Sequence, residues 1–193
     1  MDCRLCDLNI SRTKVVLGIG NDTADIMIIG EAPGYYEDKK GEPFVGKSGQ
    51  YLRKVLSESG FAIDELFITN VVKCRPPGNR TPHPVEISTC TKAFLSREIQ
   101  HIKPIFVITA GSTATDIMTS DKIPMHKQVL GFKIVGDMYV FPIYHPSYIL
   151  QNENLAIEFS DRLKKIREQI SSIYSKYAFE IAAYRTKNIN NVF

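Results

Sequence analysis

Four short apolar runs punctuate the sequence, and each ends in a polar loop. They are Asp25-Ile26-Met27-Ile28-Ile29-Gly30, Leu66-Phe67-Ile68-Thr69-Asn70-Val71-Val72, Ile105-Phe106-Val107-Ile108-Thr109-Ala110-Gly111 and Met138-Tyr139-Val140-Phe141-Pro142-Ile143. A strand that is apolar at consecutive positions has no solvent face, so both of its sides must be covered. The intervening segments supply that cover. Leu52, Val55 and Leu56 share one face of a predicted helix over 50–59, with Gly60 at its end. Helical spacing returns over Val85–Ile102, Ser112–Thr119 and from about Leu155 to Tyr177, and Lys133–Val135 reads as a minor strand. Buried strands separated by helices predict βαβ units around a mostly parallel sheet. The loops after Gly30, Asn70, Gly111 and Tyr144 then share the carboxyl edge of that sheet, where open α/β folds bind ligands.

Length and composition bound the function. The chain has 193 residues, which suits one domain over 1–193, with a polar tail from about Arg185 expected to fray. Hydrophobic residues make up 44% and charged residues 23%, which excludes wholesale disorder. No apolar run approaches the roughly 18 residues that span a bilayer, so no membrane partner is expected. The start, MDCRLCDLNI, has no basic lead and no apolar stretch, so it does not read as a secretory signal and the chain is expected not to be secreted. The formal net charge of +3 is compatible with a local nucleic-acid groove without demanding one.

The cysteines fall as Cys3-x2-Cys6 and Cys74-x15-Cys90. Without a secretory signal a disulfide framework is a poor default. Three readings remain open on spacing alone: four unrelated thiols, a structural zinc site, or an iron–sulfur cluster. A shared metal site would tie the N-terminus to the loop that carries Cys74.

The first strand-end loop, GEAPGYYEDKKGEPFVGKSGQYL, gathers Glu31, Glu37 and Asp38 with the apolar Pro43-Phe44-Val45. Gly34 and Gly46 permit a ligand to approach the backbone. The loop is neither a P-loop nor a dinucleotide fingerprint; Gly46-Lys47-Ser48 only mimics the end of the former. Asn70 ends the second run with a carboxamide, which carries both donors and an acceptor and can read a base edge. His145 follows the fourth run in YHPSYIL.

Taken together, GEAPG…ED…GEPFVG over 30–46, ITNVVKCRPP over 68–77 and HPS at 145–147 resemble the family 4 uracil-DNA glycosylases, and the two cysteine spacings match as well. The resemblance runs from Cys3 to about Ile170. It implies a three-layer α/β/α sandwich around a central four-stranded, mostly parallel sheet. It also implies a 4Fe–4S cluster on Cys3, Cys6, Cys74 and Cys90, and it is the resemblance that favours iron–sulfur over zinc.

The implied activity is a DNA-repair hydrolase that flips uracil out of single- or double-stranded DNA and cleaves its N-glycosidic bond. The uracil would stack on Phe44. Asn70 would donate to O4 and accept from N3–H, and His145 would donate to O2 of the departing anion. Main-chain N–H groups near Ala32 to Gly34, with Ser147, would help hold base and backbone. Lys47, Lys73, Arg75 and Arg80 would meet phosphates, and Ile149 or Leu150 would wedge into the vacated stack. Better-known members of the wider superfamily carry a water-positioning Asp where this chain has Ala32. Glu31 is therefore the first candidate for that task, with Glu37 and Asp38 behind it, unless a dissociative reaction needs no base. His83 reads as an ordinary loop residue, because the basic run of the covalent-trapping branch is missing around it. A monomer in the cytoplasm, or in another DNA-containing compartment, is expected. The alternatives are a non-catalytic uracil-DNA binding or replication-accessory protein on the same scaffold, and a related glycosylase for other deaminated bases such as hypoxanthine.

Overall fold

The computed structural model describes residues 2–120, 122, 124–128 and 131–189. Among these residues, six strands form one sheet: β1 (Ile19–Gly20), β2 (Ile26–Gly30), β3 (Leu66–Asn70), β4 (Phe106–Ala110), β5 (Lys133–Val135) and β6 (Met138–Ile143). Their order is β1-β3-β2-β4-β6-β5. The α-helices of the described residues are α1 (Leu8–Ser11), α2 (Tyr35–Lys40), α3 (Lys47–Glu58), α4 (Pro84–Cys90), α5 (Ser96–Ile102), α6 (Ser112–Thr119), α7 (Met125–Gln128), α8 (Pro146–Gln151) and α9 (Ala156–Ile189).

The four expected apolar runs are the four parallel strands β3-β2-β4-β6. The expectation of a four-stranded sheet is corrected to six, because antiparallel strands close both edges: β1 on β3 and β5 on β6. β5 is the expected minor strand. β1 has only two residues, too few to show a period. Gly20 admits it: at φ 132, a Cβ there would lie 2.0 Å from the Leu66 carbonyl oxygen.

Strand side chains alternate between two cores, as the two-residue period requires. Ile26, Ile28, Leu66, Ile68, Phe106, Ile108, Phe141 and Ile143 face α3, α8 and α9, through Leu52, Leu56, Ile149, Phe159, Leu163 and Ile166. Met27, Ile29, Phe67, Val107 and Val140 face the other way, onto Leu8, Cys90, Leu95, Ile102, Ala114 and Met118. The result is the three-layer α/β/α arrangement.

The helix expected over Val85–Ile102 is continuous but contains a π-helical stretch, Thr91–Leu95, just after Cys90. The last helix outruns its expected end: Tyr177 is a kink with φ −119 and ψ 25, and the helix continues to Ile189. The stretch expected to fray from Arg185 is therefore helical to Ile189, and 190–193 lie outside the described residues. Among the described residues, no helix is long and apolar enough to cross a membrane.

Candidate functional site

The parallel register sets the site. Gly30 pairs with Asn70 at the ends of β2 and β3, and Ala110 pairs with Ile143 at the ends of β4 and β6. The segments leaving these four strands enclose a cavity of ≈ 360 Å³. Of the residues singled out in the sequence, Glu31, Ala32, Gly34, Glu37, Phe44, Asn70, Arg80, His145 and Ser147 line it.

Glu37 organises the first loop. Its carboxylate accepts from the backbone N–H groups of Gly34 (3.2 Å), Val45 (2.9 Å) and Gly46 (2.7 Å). Phe44 is thereby held at φ 55, a left-handed conformation that is unusual for an aromatic residue and costs about 1–3 kcal/mol. Arg53 Nε fastens its carbonyl at 3.1 Å. Two neighbours must be glycine around it. A Cβ on Gly49 would lie 2.2 Å from the Phe44 carbonyl carbon, and one on Gly30 would lie 2.4 Å from Asn70 Oδ1 and 2.5 Å from Phe44 Cζ. Phe44 and Asn70 are thus packed into one corner of the cavity over a bare strand end.

His145 occupies the opposite wall. It is the N-cap of α8, and its Nδ1 accepts from the Ser147 backbone N–H at 3.2 Å, with Ser147 Oγ at 2.6 Å. A backbone amide can only donate, so Nδ1 keeps its lone pair and the ring proton sits on Nε2. Burial pushes the His145 pKa down to about 4, against an opposing pull from Glu37, so the ring is neutral near pH 7. Gly111, at φ 91, lets the chain pass beneath the ring: a Cβ there would lie 3.1 Å from His145 Cβ.

Glu31 Oε2 accepts from Thr113 Oγ1 at 2.6 Å. Sequence reasoning missed Thr113, as it missed Ser112 on the cavity wall, and it placed Gly111 at the ligand edge without giving it a role. The signal available was a Gly-Ser-Thr run at a strand end that also begins a helix.

Several expected contacts are corrected. Asp38 faces away from the cavity and accepts from the backbone N–H groups of Thr13 (2.7 Å) and Lys14 (3.1 Å). Burial alone would raise its pKa, but those bonds and the Arg75 charge hold it below the usual value. Lys73, at 0% exposure, cannot reach a phosphate; its ammonium bonds Thr69, Asn70 and Glu98 inside the molecule. Ile149, at 1% exposure, is core and not a wedge, whereas Leu150 on the same helix is 42% exposed. Arg80 is engaged in a two-pronged pair with Glu86, at 2.9 and 2.7 Å, on the cavity rim. Lys47 is exposed at the start of α3. Arg75 lies over the exposed Tyr35 ring, 5.1 Å from its centroid.

The four cysteines are drawn into one neighbourhood. Cys74 and Cys90 are buried, and Cys3 and Cys6 are half-buried. Burial pushes the Cys74 thiol up to about 12; Arg12 opposes this, and Cys90, Cys6 and Cys3 add to it. Cys90 rises to about 11, chiefly by burial, while Lys73 opposes through its backbone N–H, 3.2 Å from Sγ, and its charge. Among the described residues, no group of three or more His, Cys, Asp or Glu side chains is set as it stands to hold a metal ion.

Residues 17–172 match the family model of the uracil DNA glycosylase superfamily. The chain belongs to this superfamily. Relatives within the uracil-DNA glycosylases agree along most of the chain. A type-4 uracil-DNA glycosylase of Thermotoga maritima is 43% identical over 79% of this chain and 80% of its own. One from Archaeoglobus fulgidus is 37% identical over 87% of this chain and 88% of its own. A DNA polymerase of Bacillus phage SP01 is 33% identical over 72% of this chain, a match that takes up 15% of the polymerase.

Proposed function

We propose that the chain excises uracil from DNA by hydrolysing its N-glycosidic bond, leaving an abasic site. The observation that carries this reading is the His145 tautomer. A neutral imidazole with its proton on Nε2, on the wall of a cavity that also holds Asn70 and Phe44, is a donor suited to a departing base. Uracil must leave the helical stack to enter such a cavity. The Phe44 ring gives it a flat face. The Asn70 carboxamide matches its N3–H donor and O4 acceptor, the reverse of what cytosine offers. Negative charge grows on uracil O2 as the bond breaks, so a donor at that atom stabilises the transition state more than the bound substrate.

Glu31 is the carboxylate for the attacking water. Glu37 is committed to three backbone N–H groups and Asp38 to two others, while Glu31 accepts one side-chain hydroxyl and borders the cavity. In a fully dissociative reaction Glu31 would serve the sugar cation by its charge alone. Lys47 and Arg75 meet phosphates, and the exposed Leu150 is the apolar wedge.

Cys3, Cys6, Cys74 and Cys90 hold a 4Fe–4S cluster on this reading. The fit rests on Cys3, Cys6 and Cys90 lying near enough to disfavour the Cys74 thiolate, and on a backbone N–H aimed at the Cys90 sulfur. Ionising buried thiols is costly unless a cationic metal centre stands among them. The cluster supplies a structural tie between the N-terminus and the loop after β3. The protein works as a single-domain monomer, in the cytoplasm or another compartment that contains DNA.

The likeness to part of a phage DNA polymerase favours a second reading, a uracil-DNA binding or replication-accessory role. A pure binder has no leaving charge to stabilise, so His145 in its donor state weighs against it. Incubation with a uracil-containing oligonucleotide followed by alkali separates the two. Strand cleavage at uracil, and not at thymine or cytosine, is expected; a bound but intact strand overturns excision.

A further inference from the structure

Among the described residues, Lys73 is one of the largest fully buried side chains, in the company of Phe106, Phe141 and Phe159. Its ammonium donates to Thr69 Oγ1 at 2.6 Å, to the Asn70 carbonyl at 2.5 Å and to Glu98 Oε2 at 2.6 Å. An ammonium has three protons, and each has an acceptor. Glu98 also accepts from the Gly18 backbone N–H at 3.0 Å and from Thr69 Oγ1 at 2.8 Å. Such a network is far from the phosphate contact expected of a lysine in a DNA-binding loop, and the excision chemistry above does not use it.

Two of the three acceptors are the last two residues of β3, where the chain leaves the sheet and where base reading is assigned. Among the described residues, no hydrogen bond holds the Asn70 carboxamide itself; it borders the cavity. Its direction is set by contact with Gly30 and Phe44 and by its own main chain. The main chain at Asn70 is the part that Lys73 grips.

We propose that Lys73 is a positioning residue for base reading: by pinning the Asn70 carbonyl, its ammonium fixes the carboxamide so that an entering uracil meets acceptor and donor already in place. This rests on the assignment of uracil excision. A carboxamide free to swing would have to be ordered when the base binds, so base affinity and rate suffer while affinity for the DNA backbone does not.

Lys73→Met alone leaves the half-buried Glu98 carboxylate without its counter-ion, so it is combined with Glu98→Gln, which keeps an acceptor for Gly18 and Thr69. The measurements are kcat and KM on uracil DNA, inhibition by free uracil, and the melting temperature. The double variant is expected to melt above Lys73→Met, with kcat at least tenfold lower, the inhibition constant for free uracil at least tenfold higher, and KM for DNA within about twofold of wild type. Glu98→Gln alone keeps the lysine and should keep wild-type uracil inhibition. Wild-type kcat and uracil inhibition in the double variant would overturn the proposal. So would an equal loss in Glu98→Gln alone, which would make the ion pair and not the lysine the anchor. A wild-type protein that releases no uracil would overturn the excision reading instead.

Discussion

The backbone N–H of Ser147 donates to His145 Nδ1 across 3.2 Å, so the helix that His145 caps also dictates which nitrogen of the ring carries the proton. A side chain that caps a helix is fixed in direction, and its Nε2–H, without a hydrogen-bond acceptor among the described residues, is left as a neutral donor on the cavity wall.

His145→Ala should lower the single-turnover excision rate by about two to three orders of magnitude, the usual worth of a donor to a developing oxyanion. Binding to uracil DNA should change much less. The His145 pKa is about 4, held down mainly by burial, so wild-type excision should show no His145 limb near pH 6.5. The sign for stability follows from the same shift. Between pH 6.5 and about 4 the unfolded chain protonates this histidine while the folded one does not, so the stabilising contribution present above 6.5 is lost as the pH falls through that window. Rate–pH profiles of wild type and His145→Ala check the first point. A limb near 6.5 present only in wild type would contradict it.

Gly30→Ala tests the corner shared by Phe44 and Asn70. The new methyl would meet both side chains at 2.4–2.5 Å, well inside van der Waals contact. Overpacking of this kind costs about 1–3 kcal/mol. Excision should fall at least tenfold, because the two groups assigned to stack and read the base must move apart. Parallel melting and kinetic measurements decide it, and a fully active Gly30→Ala would remove that corner from the site.

Glu31→Gln and Glu37→Gln should separate chemistry from architecture. Glu31→Gln should slow single-turnover excision and leave the melting temperature within a few degrees of wild type. Glu37→Gln replaces an acceptor of three backbone N–H groups, so it should lower both the melting temperature and the activity and expose the 41–46 loop to protease. If both variants behaved alike, the division of labour between the two carboxylates would be wrong.

Anaerobically purified protein should carry about four iron atoms per chain and negligible zinc. Cys6→Ser should cost iron and thermal stability more than it costs the single-turnover rate, since the cysteines tie the N-terminus to the loop after β3. Elemental analysis finding one zinc and no iron would overturn the cluster.

Affinity for uracil DNA should fall steeply with salt, and Lys47→Ala and Arg75→Ala should each reduce the slope of log affinity against log salt by roughly one. A salt-independent affinity would argue against a DNA substrate.

Much of the fold was legible because buried parallel strands leave a plain signature. Four apolar runs gave the four parallel strands, and the polar residues just past them gave the cavity edge. Glu31, Asn70 and His145 could be singled out because a polar residue at a strand end has few structural reasons to be there. The same logic misplaced Lys73, Asp38 and Ile149. A lysine between a strand end and a cysteine looks like a phosphate contact, yet Glu98, from a helix 25 positions away in sequence, takes it inside. Asp38 follows Glu37 directly, but successive residues on a helix point in different directions, so one organises the loop and the other grips Thr13 and Lys14. Ile149 and Leu150 point in different directions for the same reason, one into the core and the other outward.

The sequence by itself determined the layered α/β architecture, the edge of the sheet that carries the site and the family, because these depend on local periodicity and on motifs written in consecutive residues. Only the tertiary structure decided which carboxylates are spent on backbone N–H groups, which nitrogen of His145 holds its proton, that Thr113 supports Glu31, and that Lys73 is an internal anchor. Each of these depends on a partner that a fold brings within about 3 Å from a distant or differently directed segment, and burial there makes every unmatched polar group costly enough to fix the arrangement.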